Sequence, residues 1–456
     1  MFGKIKKLYF VGIGGAGMSG IAEILHNLGY EIGGSDSTPT EITEYLSNLG
    51  LTIHDSHQPN NLGEAQVVVI SSAVGEDNPE VIEARHRGLP VIKRAEMLGE
   101  LMRLKYSIGI AGTHGKTTTT SMIGRILQQG KYQPTLIVGG VVAELGTGAA
   151  LGSGDYLVAE ADEYDKSFLS MYPSMAVVTN MEPDHLDCYK DEQDLFNSFV
   201  AYMNRAPFYG VVIIPSDDKN IAGVKDKIAR PYFTFGVSED ADYRATKIRK
   251  EPGRTTFTVF RNNELLGELI LRVPGQHNVL NALAATAATT ELEVPFTTIS
   301  DALMQFKGVG RRFEIIGEGN GVTVIDDYAH HPTEIMATLK TAKENYKGRV
   351  IVIYQPHLFS RTRDFLNQFA ETLAIADKTL LVDIYPAREK PIEGVTSKAI
   401  VDVARKKSLG DFEYIGPKEN APARVVEIAE PGDVIITMGA GSVTLLKHKI
   451  VELLKK

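Results

Sequence analysis

The chain has 456 residues, 43% of them hydrophobic and 23% charged, a globular balance that argues against disorder, a collagen-like chain or a membrane bundle. At roughly 100–200 residues per domain this length predicts about three domains. Lys+Arg total 48 against 57 Asp+Glu, a net charge of -9, so no overall basic field draws in nucleic acid or an anionic membrane, and an anionic ligand must be held by local devices.

In chain order, Lys4, Lys6 and Lys7 lead into a short apolar stretch at 8–11. The stretch is shorter than the roughly 7–15 residues of a signal-peptide core, and a glycine cluster follows, so strand then turn is the reading. Ile21, Ile24, Leu25 and Leu28 recur at helical spacing, with Gly29 as a stop. Strands are expected at 31–34 and 67–70. A second unit opens near 104: a strand at 106–111, a turn at 112–117 and a helix at 118–130. Further strands are expected at 156–159 and 175–179, each running into a polar stretch. Cys188 is the sole cysteine, which excludes a disulfide within the chain and a thiolate zinc cluster and fits a reducing cytoplasm. Strands at 255–260 and 268–273 flank a turn holding Asn262-Asn263, and an Ala-rich helix begins near Asn278. A basic, glycine-containing connector at 307–312 marks a boundary. Strands at 322–325, 349–354, 380–384 and 434–438 then alternate with helical patterns. No apolar run reaches about 18 residues, so no membrane insertion is expected. The alternation predicts an α/β protein of three domains. They are a Rossmann-like unit at 1–103, a central P-loop ATPase-type unit at 104–312 with an extra antiparallel segment, and a Rossmann-like unit at 313–456.

Three groups of residues carry the chemistry. Gly12-x-Gly14-x-x-Gly17 lies between a strand and a helix, where glycines let backbone N–H groups approach a pyrophosphate; Asp36 stands where a ribose-binding acid is expected. Gly112-Thr113-His114-Gly115-Lys116-Thr117-Thr118 reads as a shortened P-loop, with Ile110 where the general pattern has a glycine. Its amides cradle phosphate, Lys116 reaches the β/γ-phosphates and the Thr117 hydroxyl binds Mg²⁺. Glu160, Asp162 and Glu163 follow one neighbouring strand and His185 another, where metal ligands are expected. Downstream, Asn278 and Asn281 share a helix face, as helix caps or as ligand contacts. Arg311-Arg312 sits on the connector, as a solvated linker or as a partner of a transferred phosphoryl group. Asp326-Asp327-Tyr328-Ala329-His330-His331 and Gln355-Pro356-His357, with Arg361 and Arg363, end strands of the third unit. Such groups grip a small carboxylate or relay a proton.

Together these motifs resemble the Mur ligase family over nearly the whole chain. The likeness rests on 10–23 (FVGIGGAGMSGIAE), 111–118 (AGTHGKTT), 160–163 (EADE), 184–187 (DHLD), 277–281 (HNVLN), 311–313 (RRF), 326–334 (DDYAHHPTE) and 355–364. The first, with Met18 and Ser19, favours the alanine-adding branch. The resemblance implies ATP-dependent joining of L-alanine to the lactyl carboxylate of UDP-N-acetylmuramate in peptidoglycan precursor synthesis, in the cytoplasm; the sequence leaves monomer and homodimer both open. It implies that Gly12, Gly14, Gly15, Ala16, Gly17, Met18, Ser19, Ser35, Asp36, His57, Asn61, Ser71 and Ser72 contact the UDP-sugar. ATP would meet 112–118, Asn278, Asn281, Arg312 and, on the ribose side, Asp327; Thr117, Glu160 and His185 would hold Mg²⁺. His330 or His331 is the candidate base, and His330, Arg361 and Arg363 the amino-acid contacts. Closure of the third unit about Arg311-Arg312 would exclude water.

The sequence also departs from the family. The region of Phe199-Val200 lacks the modified lysine of several members, as in alanine-adding ligases. Leu358 stands where an arginine is frequent, and Ser442 where an acid is. The alternatives are a recycling ligase that adds a tripeptide to the same sugar nucleotide, a nicotinamide-dependent oxidoreductase built on the first glycine motif, and a nucleotide-driven switch or transport ATPase.

Overall fold

The computed structural model describes residues 5–71, 73–138, 149–183, 188–251, 253–387 and 389–455. They form two compact units, one built mainly from residues up to Phe306 and the other mainly from Lys307 onward. Three sheets organise them.

The first sheet runs Thr52–His54, Glu31–Ser35, Lys7–Val11, Val67–Ile70, Val91–Lys93, all parallel. Val67–Ile70 is an unbroken apolar run buried at every position, as a parallel strand covered on both faces requires. The chain steps outward from Lys7–Val11 in one direction, then returns to its other side at Val67–Ile70. That reversal opens a crevice at the strands' C-terminal ends, and the glycine motif lies there.

The second sheet has ten strands. Tyr106–Ala111 lies between Met175–Val178 and Tyr156–Glu160, parallel to both. Glu160 is therefore the last residue of its strand, paired with Ile110, rather than the first residue beyond it. The sheet continues past Met175–Val178 through Val211–Pro215, Tyr232–Gly236 and Tyr243–Glu251 to the pair Arg254–Arg261 and Glu264–Leu271. The last strand starts at Glu264, earlier than expected, because Asn262 and Asn263 (φ 47° and 69°) make a two-residue turn. The helix after Tyr106–Ala111 is Lys116–Gln129, closed by Gly130. The Ala-rich helix is Gln276–Thr290.

The third sheet runs Glu314–Gly319, Val322–Asp327, Val434–Met438, Val350–Tyr354, Lys378–Val382, Phe412–Gly416. All its pairs are parallel except the first. Among the described residues no helix is long and apolar enough to cross a membrane.

Candidate active site

The first crevice is assembled by backbone bonds. The amides of Gly12 and Ile13 donate to Ser35 O at 2.8 and 3.0 Å, and the Ser71 amide donates to Val11 O at 3.1 Å. Gly12 has φ +77°, and a Cβ there would press on Ser71. Asp36 is turned back onto the motif: its carboxylate accepts from the amides of Gly14 (2.9 Å) and Thr38 (3.1 Å). Gly15 is the N-cap of the helix Ala16–Asn27, and the Met18 and Ser19 amides return to Gly15 O. Met18, expected to touch the UDP-sugar, has its side chain in the core at 1% exposure, because helix geometry turns that position onto the sheet. Ser35, His57 and Asn61 are drawn together on Glu80, which no motif had marked, and Ser35, expected to touch the UDP-sugar, has no exposed surface because its hydroxyl is turned inward onto Glu80. The Arg94 guanidinium, also unforeseen, lies against Gly17. Ser72 lies outside the described residues.

The second centre is the loop Gly112–Gly115 ahead of the helix Lys116–Gln129. Gly112 has φ +135°, and a Cβ there would run into Thr179 Oγ1; Gly115 has φ +83°, and a Cβ there would run into Asn281 Oδ1. Only glycine meets both demands. Thr179 and Asn180, missed in the sequence, hold the loop: both donate to His114 O, and Asn180 Oδ1 accepts from the His114 amide at 3.0 Å. Thr113 Oγ1 donates to Glu182 O at 2.9 Å. Asn281 Oδ1 lies 3.4 Å from the Thr119 hydroxyl, and its Nδ2 donates to Asn278 Oδ1 at 3.2 Å. The two asparagines thus sit on one helix face behind the loop.

Lys116 Nζ donates to Gly112 O and to Glu163 Oε2, each at 2.6 Å. Burial alone would lower this ammonium, but the carboxylates of Glu163, Asp162 and Glu160 outweigh it and hold it above its usual value. The Thr117 hydroxyl and the Glu160 carboxylate are hard-oxygen donors of the kind that suits magnesium, but among the described residues no three His, Cys, Asp or Glu side chains come together as a metal-holding group. Thr118 is buried in the helix. His185 falls outside the described residues.

The second unit gathers the remaining groups. Asp327 is buried and accepts from the Phe313 and Ala329 amides at 2.7 and 2.8 Å. Desolvation pushes its carboxyl up to about 6, against the opposing pull of Arg312 and of those two amides. The guanidinium groups of Arg311 and Arg312 both pack on the Tyr328 ring, and Arg311 donates to Gly439 O at 2.6 Å. His331, one of the two candidate bases, is instead the N-cap of the helix Pro332–Asn345. Its Nδ1 accepts from the Thr333 amide, while Glu334 reaches back to the His331 amide. That is the reciprocal pattern of a capping box, and it accounts for this imidazole structurally. His330 differs: its Nδ1 lies 3.1 Å from Tyr328 O and 3.2 Å from Glu334, and its ring meets the His357 ring edge-on. Arg361 and Arg363 lie two apart on the helix Phe359–Asp364 and so point apart. Arg361 is buried, whereas Arg363 is exposed and paired with Asp364. Leu358 takes a left-handed φ of +71° at the start of that helix, its amide donating to Tyr385 O at 3.0 Å.

A glycine loop at a helix N-terminus with a part-buried lysine among acids defines a nucleotide-phosphate site in a protein of modular α/β build. The chain matches the Mur ligase family catalytic domain over residues 7–106, the Mur ligase middle domain over 110–289 and the Mur ligase glutamate ligase domain over 311–441. The chain belongs to the Mur ligase family. It is 49% identical to the UDP-N-acetylmuramate–L-alanine ligase of Geotalea uraniireducens (strain Rf4), covering 100% of this chain and 99% of that one. It is 47% identical to the enzyme of the same name from Salinibacter ruber, covering 99% and 96%. Among solved structures, UDP-N-acetylmuramate-alanine ligase MurC from Thermotoga maritima superposes with a TM-score of 0.82 at 30% identity, covering 98% of each chain. A murein peptide ligase from Psychrobacter arcticus gives 0.72 at 26% identity, covering 99% of each.

Proposed function

We propose that this chain joins L-alanine to the lactyl carboxylate of UDP-N-acetylmuramate, using ATP and passing through an acyl phosphate. The observation that carries the reading is Lys116, seated at the mouth of the Gly112–Gly115 loop and surrounded by acids. A carboxylate is a poor acyl donor because its oxygen leaves badly. One of its oxygens attacks the terminal phosphorus of ATP, the bond to the ADP oxygen breaks, and an acyl phosphate forms. The neutral amine of L-alanine then attacks the acyl carbon. The C–O bond to phosphate breaks, phosphate departs with the electron pair, and the amine loses a proton.

Lys116 and the loop amides offset charge on the transferred phosphoryl group, and Arg312 is assigned to the same charge. Thr117, Glu160 and His185 are assigned to Mg²⁺, which supplies charge neutralisation on the phosphate oxygens when bound. Asn278 and Asn281 support the ATP loop from behind, and Asp327 is assigned to the ribose side. His330 is the base assigned to the amine proton, since His331 is taken up in capping; Arg361 is assigned to the alanine carboxylate. The glycine crevice of 12–19, with Asp36, His57, Asn61 and Ser71, is assigned to the UDP-sugar, the buried Ser35 lying behind it. The domain division at 1–103, 104–312 and 313–456 follows these roles. A cytoplasmic location is assigned on the same reading.

The test is phosphate release with UDP-N-acetylmuramate, ATP and each acceptor in turn. L-Alanine should stimulate release. Stimulation only by L-alanyl-γ-D-glutamyl-meso-diaminopimelate would replace this reading with the recycling one.

A further inference from the structure

Glu80 has no exposed surface, yet its carboxylate gathers donors from three separate stretches of chain. Tyr9 Oη, from the strand Lys7–Val11, donates to Oε1 at 2.9 Å. Ser35 Oγ, at the end of Glu31–Ser35, donates to Oε2 at 2.6 Å. From the loop after Thr52–His54 come Asn61 Nδ2 at 2.8 Å, the Gln58 amide at 3.3 Å and His57 Nδ1 at 3.1 Å. No lysine or arginine stands among these partners. A buried carboxylate is costly unless its lone pairs are filled, and here neutral donors and one imidazole fill them. The acid is itself fixed: Pro79 opens the helix Pro79–His86, and the Asn78 side chain accepts from the Glu80 amide at 2.9 Å.

Two of these partners, His57 and Asn61, are groups assigned above to the sugar nucleotide, and a third, Ser35, bonds His57. Glu80 determines which face His57 and Asn61 present, while the buried Ser35 acts only through its contact with His57. Asn61 spends its Nδ2 on Glu80 and on Ser56 O (2.7 Å), which turns Oδ1 the other way as an acceptor. Ser35 spends its proton on Glu80, so His57 Nδ1, 2.9 Å from Ser35 Oγ, must carry the hydrogen that faces the carboxylate. Nε2 is then the edge left for a ligand, on a ring that keeps 23% of its surface. We infer that Glu80 is a positioning residue for the UDP-sugar: it does not touch the ligand but, with the fully buried Ser35 beside it, pre-orders His57 and Asn61 into one recognition pattern. This rests on the sugar-nucleotide reading of the first crevice.

The test is steady-state kinetics on the full chain with Glu80→Gln, His57→Ala and Asn61→Ala. Gln keeps the shape but puts an NH₂ donor among donors. Glu80→Gln should raise KM for UDP-N-acetylmuramate about tenfold or more, with kcat and KM for ATP within about twofold. Combined with His57→Ala, it should add less than its single effect, because the two act through one contact. If His57→Ala raises that KM and a folded Glu80→Gln does not, the inference is overturned while the crevice assignment survives. If neither His57→Ala nor Asn61→Ala changes it, the crevice assignment fails and the inference with it. Should Glu80→Gln not fold, ¹⁵N-histidine NMR of the unaltered protein decides. A proton on His57 Nδ1 supports the arrangement, and a neutral ring protonated only at Nε2 overturns it.

Discussion

At the scale of single residues, the two ends of one dipeptide have different work. His330 and His331 are indistinguishable in the sequence, but His331 begins a helix and is used up there, while His330 faces His357 and Glu334. Lys116 shows the converse: the motif named it, and the structure adds that Glu163 Oε2 holds it at 2.6 Å. Lys116→Ala should abolish phosphate release, measured with all three substrates present; near-normal turnover would remove it from the chemistry. Glu163→Gln strips the ammonium of its buried counter-charge. It should lower unfolding free energy by about 3 kcal/mol in urea titrations, as when one partner of a buried pair is removed. A loss below about 1 kcal/mol would mean the pair is solvated. Glu163 was legible as one acid of a cluster, but its partner was not, because nothing in spacing says which carboxylate of three folds back onto the loop.

At the scale of elements, the strands that carry the site were the readable ones. Tyr106–Ala111 and Val67–Ile70 are apolar runs bounded by turn residues, a pattern that survives any tertiary context. Tyr243–Glu251 was not seen, because only Tyr243 and Ala245 are buried in it and charged or polar residues fill most of its other positions. The helix Pro79–His86 matters more than its length suggests, since it presents Glu80. Asn78→Ala removes its cap and should cost about 1 kcal/mol of stability, read as a shifted urea midpoint at unchanged slope. Gly112→Ala is a harsher change: φ +135° is closed to a side chain, and Thr179 stands in the way. ATP binding measured by calorimetry should be lost there, with the sheet intact by circular dichroism.

At the scale of the whole molecule, each unit has its own buried core, so unfolding should show two transitions in calorimetry. UDP-N-acetylmuramate at about 100 times its Kd should stabilise the first unit by about 2.7 kcal/mol and leave the other transition in place. A shift of the second transition alone would contradict the assignment of the first crevice. The second unit has its own pH signature through Asp327. With its carboxyl up at about 6 in the fold against 3.8 ordinarily, the folded state binds the proton more tightly. Its stabilising contribution is present below about pH 4 and is lost as pH rises through about 6, a swing of about 2–3 kcal/mol. Relative to the unaltered protein, Asp327→Asn should therefore gain stability from pH 4 to 6 and level off above. A flat difference would show that Asp327 is not desolvated.

The sequence by itself determined the order of α/β modules, the two glycine loops, the lysine and acids of the second loop, and the family, because these depend on local periodicity and on glycine positions that no other residue fills. Tertiary structure alone decided that Met18 belongs to the core, that Arg361 and Arg363 point apart, that His331 is a cap, and that Glu80 gathers Tyr9, Ser35, His57 and Asn61. For Met18 and Glu80 the reason is that a side chain's partner is set by packing between elements distant in the chain, of which one residue's type carries no record; for His331 and the two arginines it is where the helices Pro332–Asn345 and Phe359–Asp364 begin, which spacing alone left open.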